Sequence, residues 1–465
     1  MTTTTITRIR NRSASVALVA SAAIVLLAAC HGAPPPPPPP PRVLGDSATA
    51  ALQWVQAHSG AIGLADSTPS AEERRQIGAL ASGARIVGFS ELTEGTSEFP
   101  AIVLRTLVAL ADSGFRGVAI QAPMPEALEV DRYVRTGVGD PRRLLRGLGS
   151  WRWDTREMLA LVGALRRWNT THPNGQLGFY GFEIPTAQRA VQVVESLPDS
   201  VTGVPLKQWL ARTYGCVAID ESAHWGLEGR AADSTFWNAC GPATAAAADS
   251  VMALHTRLGG STHAAEVAFA EEMARLIQHH VSVGLRHMTR QDANAEHVLY
   301  IANSLGSDAR LILWGGDVEM GRLTLQGGLG QAGVVQTGVP LGQRLGDRYR
   351  AIAFAIGDGV IRARVPSSGA RPGSGEPGLT NVRVAPPTPD SYEDVLARAA
   401  SPAYWLDMRT LPKDAAGTWL RGPRHVRLIS DLYSPLLASA FETPVAFPTN
   451  YDAVVFVKTV MPAHQ

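Results

Sequence analysis

Short apolar runs of β-forming residues recur along the chain, each followed by a helix-periodic stretch, and this alternation leaves few folds open. The first is Arg85-Ile86-Val87-Gly88-Phe89-Ser90, after which Glu91 and Glu94 precede an apolar helix pattern resuming at Phe99. The second, residues 116–120, ends at Gln121. The third, 177–182, ends at Glu183, and the fourth, 310–314, closes on Trp314 and breaks into Gly315-Gly316-Asp317-Val318-Glu319. Strand–helix alternation of this kind predicts an α/β protein with a mostly parallel central sheet flanked by helices. Ligands of such sheets sit beyond the carboxyl ends of the strands. Glu91, Glu94, Gln121, Glu183, Gly316, Asp317 and Glu319 are therefore expected at one edge, with Gln121 beside Glu91 if their strands are neighbours. The competing reading of Glu91 and Glu94 is that they only complement the dipole of the next helix.

Further strands are expected at 351–356, 360–365, 404–406, 426–429 and 453–457, with 366–390, rich in glycine and proline, as a mobile link. Between residues 185 and 305 the pattern is helical, which predicts a large helical insertion within one domain spanning 48–465. Trp151 and Trp153 flank Arg152 in a turn before a helix, a pattern that serves packing or ligand contact. The insertion carries His279, His280, His287 and His297, including a pair seven residues apart, but no third metal ligand stands nearby. Gly328-Leu329-Gly330-Gln331-Ala332-Gly333 fits G-x-G-x-x-G without the preceding strand or following helix that a dinucleotide site needs. No G-x-S-x-G is present for a serine nucleophile.

With 465 residues, 45% of them apolar, the chain can bury a large core. A net charge of +1 and no basic run beyond the N-terminus exclude electrostatically driven nucleic-acid binding. Residues 1–30 read as an export signal: Arg8, Arg10 and Arg12 precede an apolar run too short for a comfortable membrane span, and Leu27-Ala28-Ala29-Cys30 resembles a bacterial lipobox. Cys30 is then the lipidated residue, and the protein is expected to be exported and held on the cell envelope by a lipid anchor. Residues 31–47 form a linker whose proline tract, Pro34 to Pro41, acts as a stalk. Cys216 and Cys240 remain for the exported part, where an oxidising compartment favours a disulfide.

Several of these segments resemble the erythromycin esterase family. Gly88-Phe89-Ser90-Glu91-Leu92-Thr93-Glu94-Gly95-Thr96-Ser97-Glu98-Phe99 is similar to its G-x-x-E-x-x-H-G-x-x-E-F signature. Gly149-Ser150-Trp151-Arg152-Trp153, Phe179-Tyr180-Gly181-Phe182-Glu183, the segment from Arg290 to Glu296, Trp314-Gly315-Gly316-Asp317-Val318-Glu319 and Tyr451-Asp452-Ala453-Val454-Val455-Phe456 follow in the family's order. The resemblance implies a metal-independent hydrolase in which a histidine base, held by glutamates, activates water against a macrolactone ester. Of the residues it implies, Glu91 and Arg105 match. Glu94 stands for the first histidine, Gln121 for a glutamate, and Gly316 and Glu319 for two further histidines. A carboxyl replaces histidine as a base near neutral pH only when desolvation or like charge raises its pKa. Three readings stay open: a small-molecule hydrolase using carboxyl groups without a cofactor, a non-catalytic binding protein, or a carboxylate site for a divalent cation such as calcium or magnesium.

Overall fold

The computed structural model describes residues 43–64, 68–184, 187–195, 234–258, 264–323, 336–365 and 378–465. The lipobox with Cys30, the proline tract, Cys216 and the 328–333 glycine segment lie outside the described residues. Cys240 is buried in the helix Ser234–Leu258. Among the described residues no helix is long and apolar enough to cross a membrane.

Strands β1 (Gly60–Ala61), β2 (Ile86–Glu91), β3 (Phe115–Pro123), β4 (Gly178–Glu183), β5 (Arg310–Gly316), β6 (Tyr349–Val365), β7 (Gly378–Val384), β8 (Ala403–Asp407), β9 (Arg424–Arg427), β10 (Glu442–Val445) and β11 (Ala453–Val460) follow in chain order. The main sheet runs β1-β8-β11-β6-β2-β5-β3-β4, with β7 paired to β6, and β9 and β10 make a separate ribbon. Every pairing from β11 through β6, β2, β5 and β3 to β4 is parallel, while β8, β1 and β7 join antiparallel. The fold is therefore α/β with a mostly parallel mixed sheet. β2 is buried along its whole length, as strands covered by helices on both faces must be.

The helix Glu98–Leu110 shows how sequence spacing builds the core. Phe99, Ile102, Val103, Leu107 and Leu110 share one face at helical spacing and are buried. Phe99 stacks on Phe354 of β6 at 4.3 Å, and Phe354 on Phe89 of β2 at 5.0 Å. Hydroxyl caps start the flanking helices: Thr155 Oγ1 accepts the Met158 N–H, and Thr289 Oγ1 accepts the Asp292 N–H. Between β4 and β5 the described chain is helical, in Gln188–Glu195, Ser234–Leu258, Ala264–Gly284 and Arg290–Ser304.

The structure corrects two expectations. The strands expected at 351–356 and 360–365 are a single strand, β6, of 17 residues. Its first half is buried without alternation between parallel neighbours, and its second half alternates as an antiparallel ribbon against β7. The intervening Gly357 and Gly359 let the neighbouring strand pass close. A Cβ at Gly359 would stand 2.2 Å from the Val460 carbonyl oxygen. β7 itself lies inside the stretch expected to be a mobile link. The second correction concerns β2 and β3, which are not neighbours because β5 lies between them.

Candidate functional site

Parallel strands end on the same side of a sheet, and their registers bring these tips level. Glu91 of β2 stands opposite Gly316 of β5, Ile120 of β3 opposite Trp314, and Pro123 opposite Glu183 of β4. Gln121 bridges them: its Oε1 accepts the Gly316 N–H at 2.9 Å, and its side chain also hydrogen-bonds Glu183. An amide can accept from one partner and donate to the other, which a glutamate ionised beside Glu183 could not do.

Beyond β2 the chain is held by segments far away in sequence. The Glu94 N–H donates to the Ile429 carbonyl at 2.8 Å, and the Gly95 carbonyl accepts from the N–H groups of both Arg362 and Ala463. Gly95 has φ +80°, and a Cβ there would lie 2.0 Å from the Arg362 carbonyl oxygen, so only glycine fits this turn. Past β5 the chain turns through Asp317, a non-glycine residue at φ +49°. The Met320 N–H then donates to Ser90 Oγ at 2.8 Å and pins the Glu319 turn to β2.

Arg152, which sequence reasoning did not place in the site, is its main cation. Its Nε lies 3.1 Å from Glu94 and a terminal nitrogen 3.8 Å from Glu91, so one guanidinium holds both carboxyls. The same guanidinium lies 4.8 Å over the buried Trp153 ring. Trp153 packs edge-on against Trp314 at 5.1 Å and donates its indole N–H to the Gln121 carbonyl, while the Trp314 indole N–H donates to Glu91. Trp151 is half-buried. Arg290, at the start of its helix, faces Glu183 at 3.5 Å, and Thr337 donates its hydroxyl hydrogen to Glu319. A buried acid cluster requires such cations and donors, and that requirement is the one signal by which Arg152 and Arg290 could have been sought in the sequence.

Burial moves these carboxyls toward neutral pKa values. Glu91 is raised to about 7, with Arg152 and the Trp314 bond opposing the shift, and Glu94 to about 8, where Arg152 opposes burial and Glu91, Asp317 and Asp431 reinforce it. Glu319 rises to about 7, Asp317 to about 6, and Glu183 is raised as well, in each case chiefly by burial. A buried acid that resists ionisation stabilises the fold at low pH and loses that contribution as pH rises through its raised value. For Glu94, moved from 4.5 to about 8, the stability lost between those two pH values is on the order of 5 kcal/mol. Glu94→Gln, which cannot ionise, is expected to lose less stability than the parent between pH 6 and pH 9. Urea melts at several pH values read this directly, and parallel curves would contradict it.

Gly316 explains why the acid pair fits. A Cβ there would stand 1.8 Å from Glu94 Oε1 and 2.6 Å from both terminal nitrogens of Arg152. The ion pair therefore fills the space a side chain at 316 would need. Gly316→Ala is expected to force the pair aside at about 1–3 kcal/mol, seen as a lower urea midpoint with unchanged m. An unchanged midpoint would show that the pair moves freely.

Arg105 lies on the helix Glu98–Leu110 and is buried. Its guanidinium forms a buried two-bond ion pair with Glu73, tying the helix Glu98–Leu110 to the helix Ala71–Ala81. The histidine pair seven apart, His280 and His287, does not share a helix face, because that helix ends at Gly284 and His287 is exposed on the following turn. Among the described residues no three His, Cys, Asp or Glu side chains are grouped so as to hold a metal ion.

A protein of Bacillus cereus superposes on this chain with a TM-score of 0.75 at 19% identity, covering 90% of this chain and 99% of its own. A succinoglycan biosynthesis protein superposes with 0.73 at 17% identity, covering 91% and 100%. A mutant of the erythromycin esterase EreC in its open conformation superposes with 0.64 at 16% identity, covering 87% and 98%. These likenesses establish the fold. The profile of the erythromycin esterase family matches residues 110–460, most of the chain and all of the site beyond β2, so this chain belongs to the erythromycin esterase family.

Proposed function

We propose that the protein hydrolyses an ester or lactone of a small molecule by using paired carboxyl groups where the family pattern has histidine. The observation that carries this reading is the Arg152 guanidinium, which holds Glu91 and Glu94 together while burial raises both toward neutrality. Near pH 7–8 such a pair offers one carboxylate and one carboxylic acid. Glu91, oriented by the Trp314 indole, takes a proton from water, and the oxygen so freed attacks the ester carbonyl carbon. Glu94 gives its proton to the departing alkoxide, and Arg152 balances the charge of the pair. Membership of the erythromycin esterase family supports a hydrolase-type chemistry, and the structural neighbour EreC, an erythromycin esterase, favours esters as the substrate class.

The test is turnover of a panel of simple esters and lactones, followed by acid release. Activity is expected with an optimum near pH 7–8, between the Glu91 and Glu94 values. A folded protein that turns over nothing on the panel, with or without divalent ions, would overturn the proposal and leave a non-catalytic binding role. A calcium- or magnesium-dependent rise in Tm that vanishes in Glu94→Ala would favour the cation reading instead.

The envelope location is part of the same proposal and rests on the Arg-rich start, the apolar run and the Leu27-Ala28-Ala29-Cys30 segment. In a bacterial host, radiolabelled palmitate is expected to enter the full chain and to be absent from Cys30→Ser. Equal labelling of the two would remove the lipid anchor from the account.

A further inference from the structure

Away from the strand tips, four titratable side chains form a continuous line through the helical part of the molecule. Glu272, 1% exposed, approaches His297 Nδ1 with its Oε1 at 2.7 Å. His297 Nε2 lies 3.2 Å from His279 Nδ1, and His279 Nε2 lies 3.1 Å from Glu296 Oε2. His297 is fully buried, whereas the Glu296 side chain is 36% exposed and meets Arg344 at 3.4 Å. The line therefore runs from a buried carboxyl to the surface, alternating between the helices Ala264–Gly284 and Arg290–Ser304.

Hydrogen positions along this line are constrained by counting donors and acceptors. If Glu272 carries the proton, it donates to His297 Nδ1. His297 then donates from Nε2 to His279 Nδ1, and His279 donates from Nε2 to the Glu296 carboxylate. Each contact is satisfied and both imidazoles are neutral. If the proton sits on Glu296 instead, all three bonds reverse direction. Glu296 then donates to His279 Nε2, His279 Nδ1–H to His297 Nε2, and His297 Nδ1–H to the Glu272 carboxylate. The two arrangements differ by one proton moved from end to end, and neither leaves an imidazolium in the interior.

We propose that Glu272, His297, His279 and Glu296 form a proton relay that lets a buried carboxyl exchange its proton with solvent through two neutral imidazoles. The transfer is balanced: the Glu272 O–H bond breaks as His297 Nδ1–H forms, the Nε2 proton of His297 passes to His279 Nδ1, and the Nε2 proton of His279 passes to Glu296. The surroundings favour neutral rings and a proton resting on Glu272. Burial lowers both histidines to about 4 and raises Glu272 to about 8. Arg275 and Arg344 oppose a positive charge on His279, Arg275 does the same at His297, and Glu296 opposes them at both rings. Glu271 and Glu296 reinforce the proton on Glu272 against Arg275, and Tyr300 packs into the same field with its phenol neutral. His280, the next buried imidazole, faces the charge of Arg290 and is also held neutral.

Nitrogen-15 NMR of the side chains of the full exported domain tests the relay, because the shifts distinguish protonated from bare ring nitrogens. Both rings are expected as Nε2–H tautomers at neutral pH, and in the alkaline step in which Glu272 loses its proton His297 is expected to switch to Nδ1–H, facing the new carboxylate, while His279 keeps its Nε2–H on the Glu296 carboxylate. Glu272→Gln, whose amide N–H can still donate to His297, is expected to lock both rings as Nε2–H at every pH. Glu296→Gln is expected to slow solvent exchange of the ring protons by tenfold or more while the domain stays folded. Rings that titrate singly to imidazolium near pH 6–7, or a tautomer switch that persists in Glu272→Gln, would overturn the relay.

Discussion

Glu94→Gln is expected to lower ester turnover by about 10²–10⁴-fold, the range typical of removing a general acid or base. The amide keeps the shape of the protonated side chain and still fits beside Gly316, so the loss reports the missing proton donor and not a collapsed loop. Glu91→Gln is expected to lose activity on the same scale for the opposite reason, since its amide cannot accept a proton from water. The two variants separate by pH. The alkaline limb of the rate profile, set by Glu94 at about 8, should vanish in Glu94→Gln, and the acidic limb, set by Glu91 at about 7, in Glu91→Gln. If either variant kept full turnover and both limbs, the carboxyl-pair mechanism would be wrong.

Arg105→Ala is expected to destabilise the fold by about 3–5 kcal/mol, because it strands the Glu73 carboxylate in the interior. Both partners are almost fully buried, at 4% and 2% side-chain exposure, and the guanidinium meets the carboxylate with two of its nitrogens. A loss of this size corresponds to a fall in Tm of about 3–6 °C in a domain this large. Replacing both partners by apolar residues, as in Arg105→Met with Glu73→Leu, is expected to recover most of the stability, since no charge is then left unpaired. Activity per folded molecule should survive in the double variant. A double variant that is stable but inactive would place Arg105 in the working site, as the family resemblance implies.

The parts of the fold most legible in the sequence were those with a single strong period. Strands β2 to β5 and their helices follow from apolar runs and capping residues, because each forms from local pattern and is then buried by neighbours of the same kind. Strand order was not legible. Gln121 would stand beside Glu91 if β2 and β3 were neighbours, yet β5, nearly 200 residues later in the chain, inserts between them, and only tertiary pairing decides that. The strands expected at 351–356 and 360–365 are one, and Gly357 and Gly359 between them mark the close passage of β11. The acids of the site could be named from their positions after strands. Arg152 could not be placed, because a lone arginine between tryptophans fits a packing turn equally well until the acids converge on it.

Chain connectivity has a bearing on when this site comes into being. The peptide that presents Glu94 is fastened to residues 362, 429 and 463, so its shape depends on partners far later in the chain. A nascent chain that has already paired β2 with β5 would still lack the strap that fixes the acid pair. Such long loop closures are slow relative to local structure. The geometry of the acid pair is thus expected to be set late in folding, after the bulk of the sheet has formed.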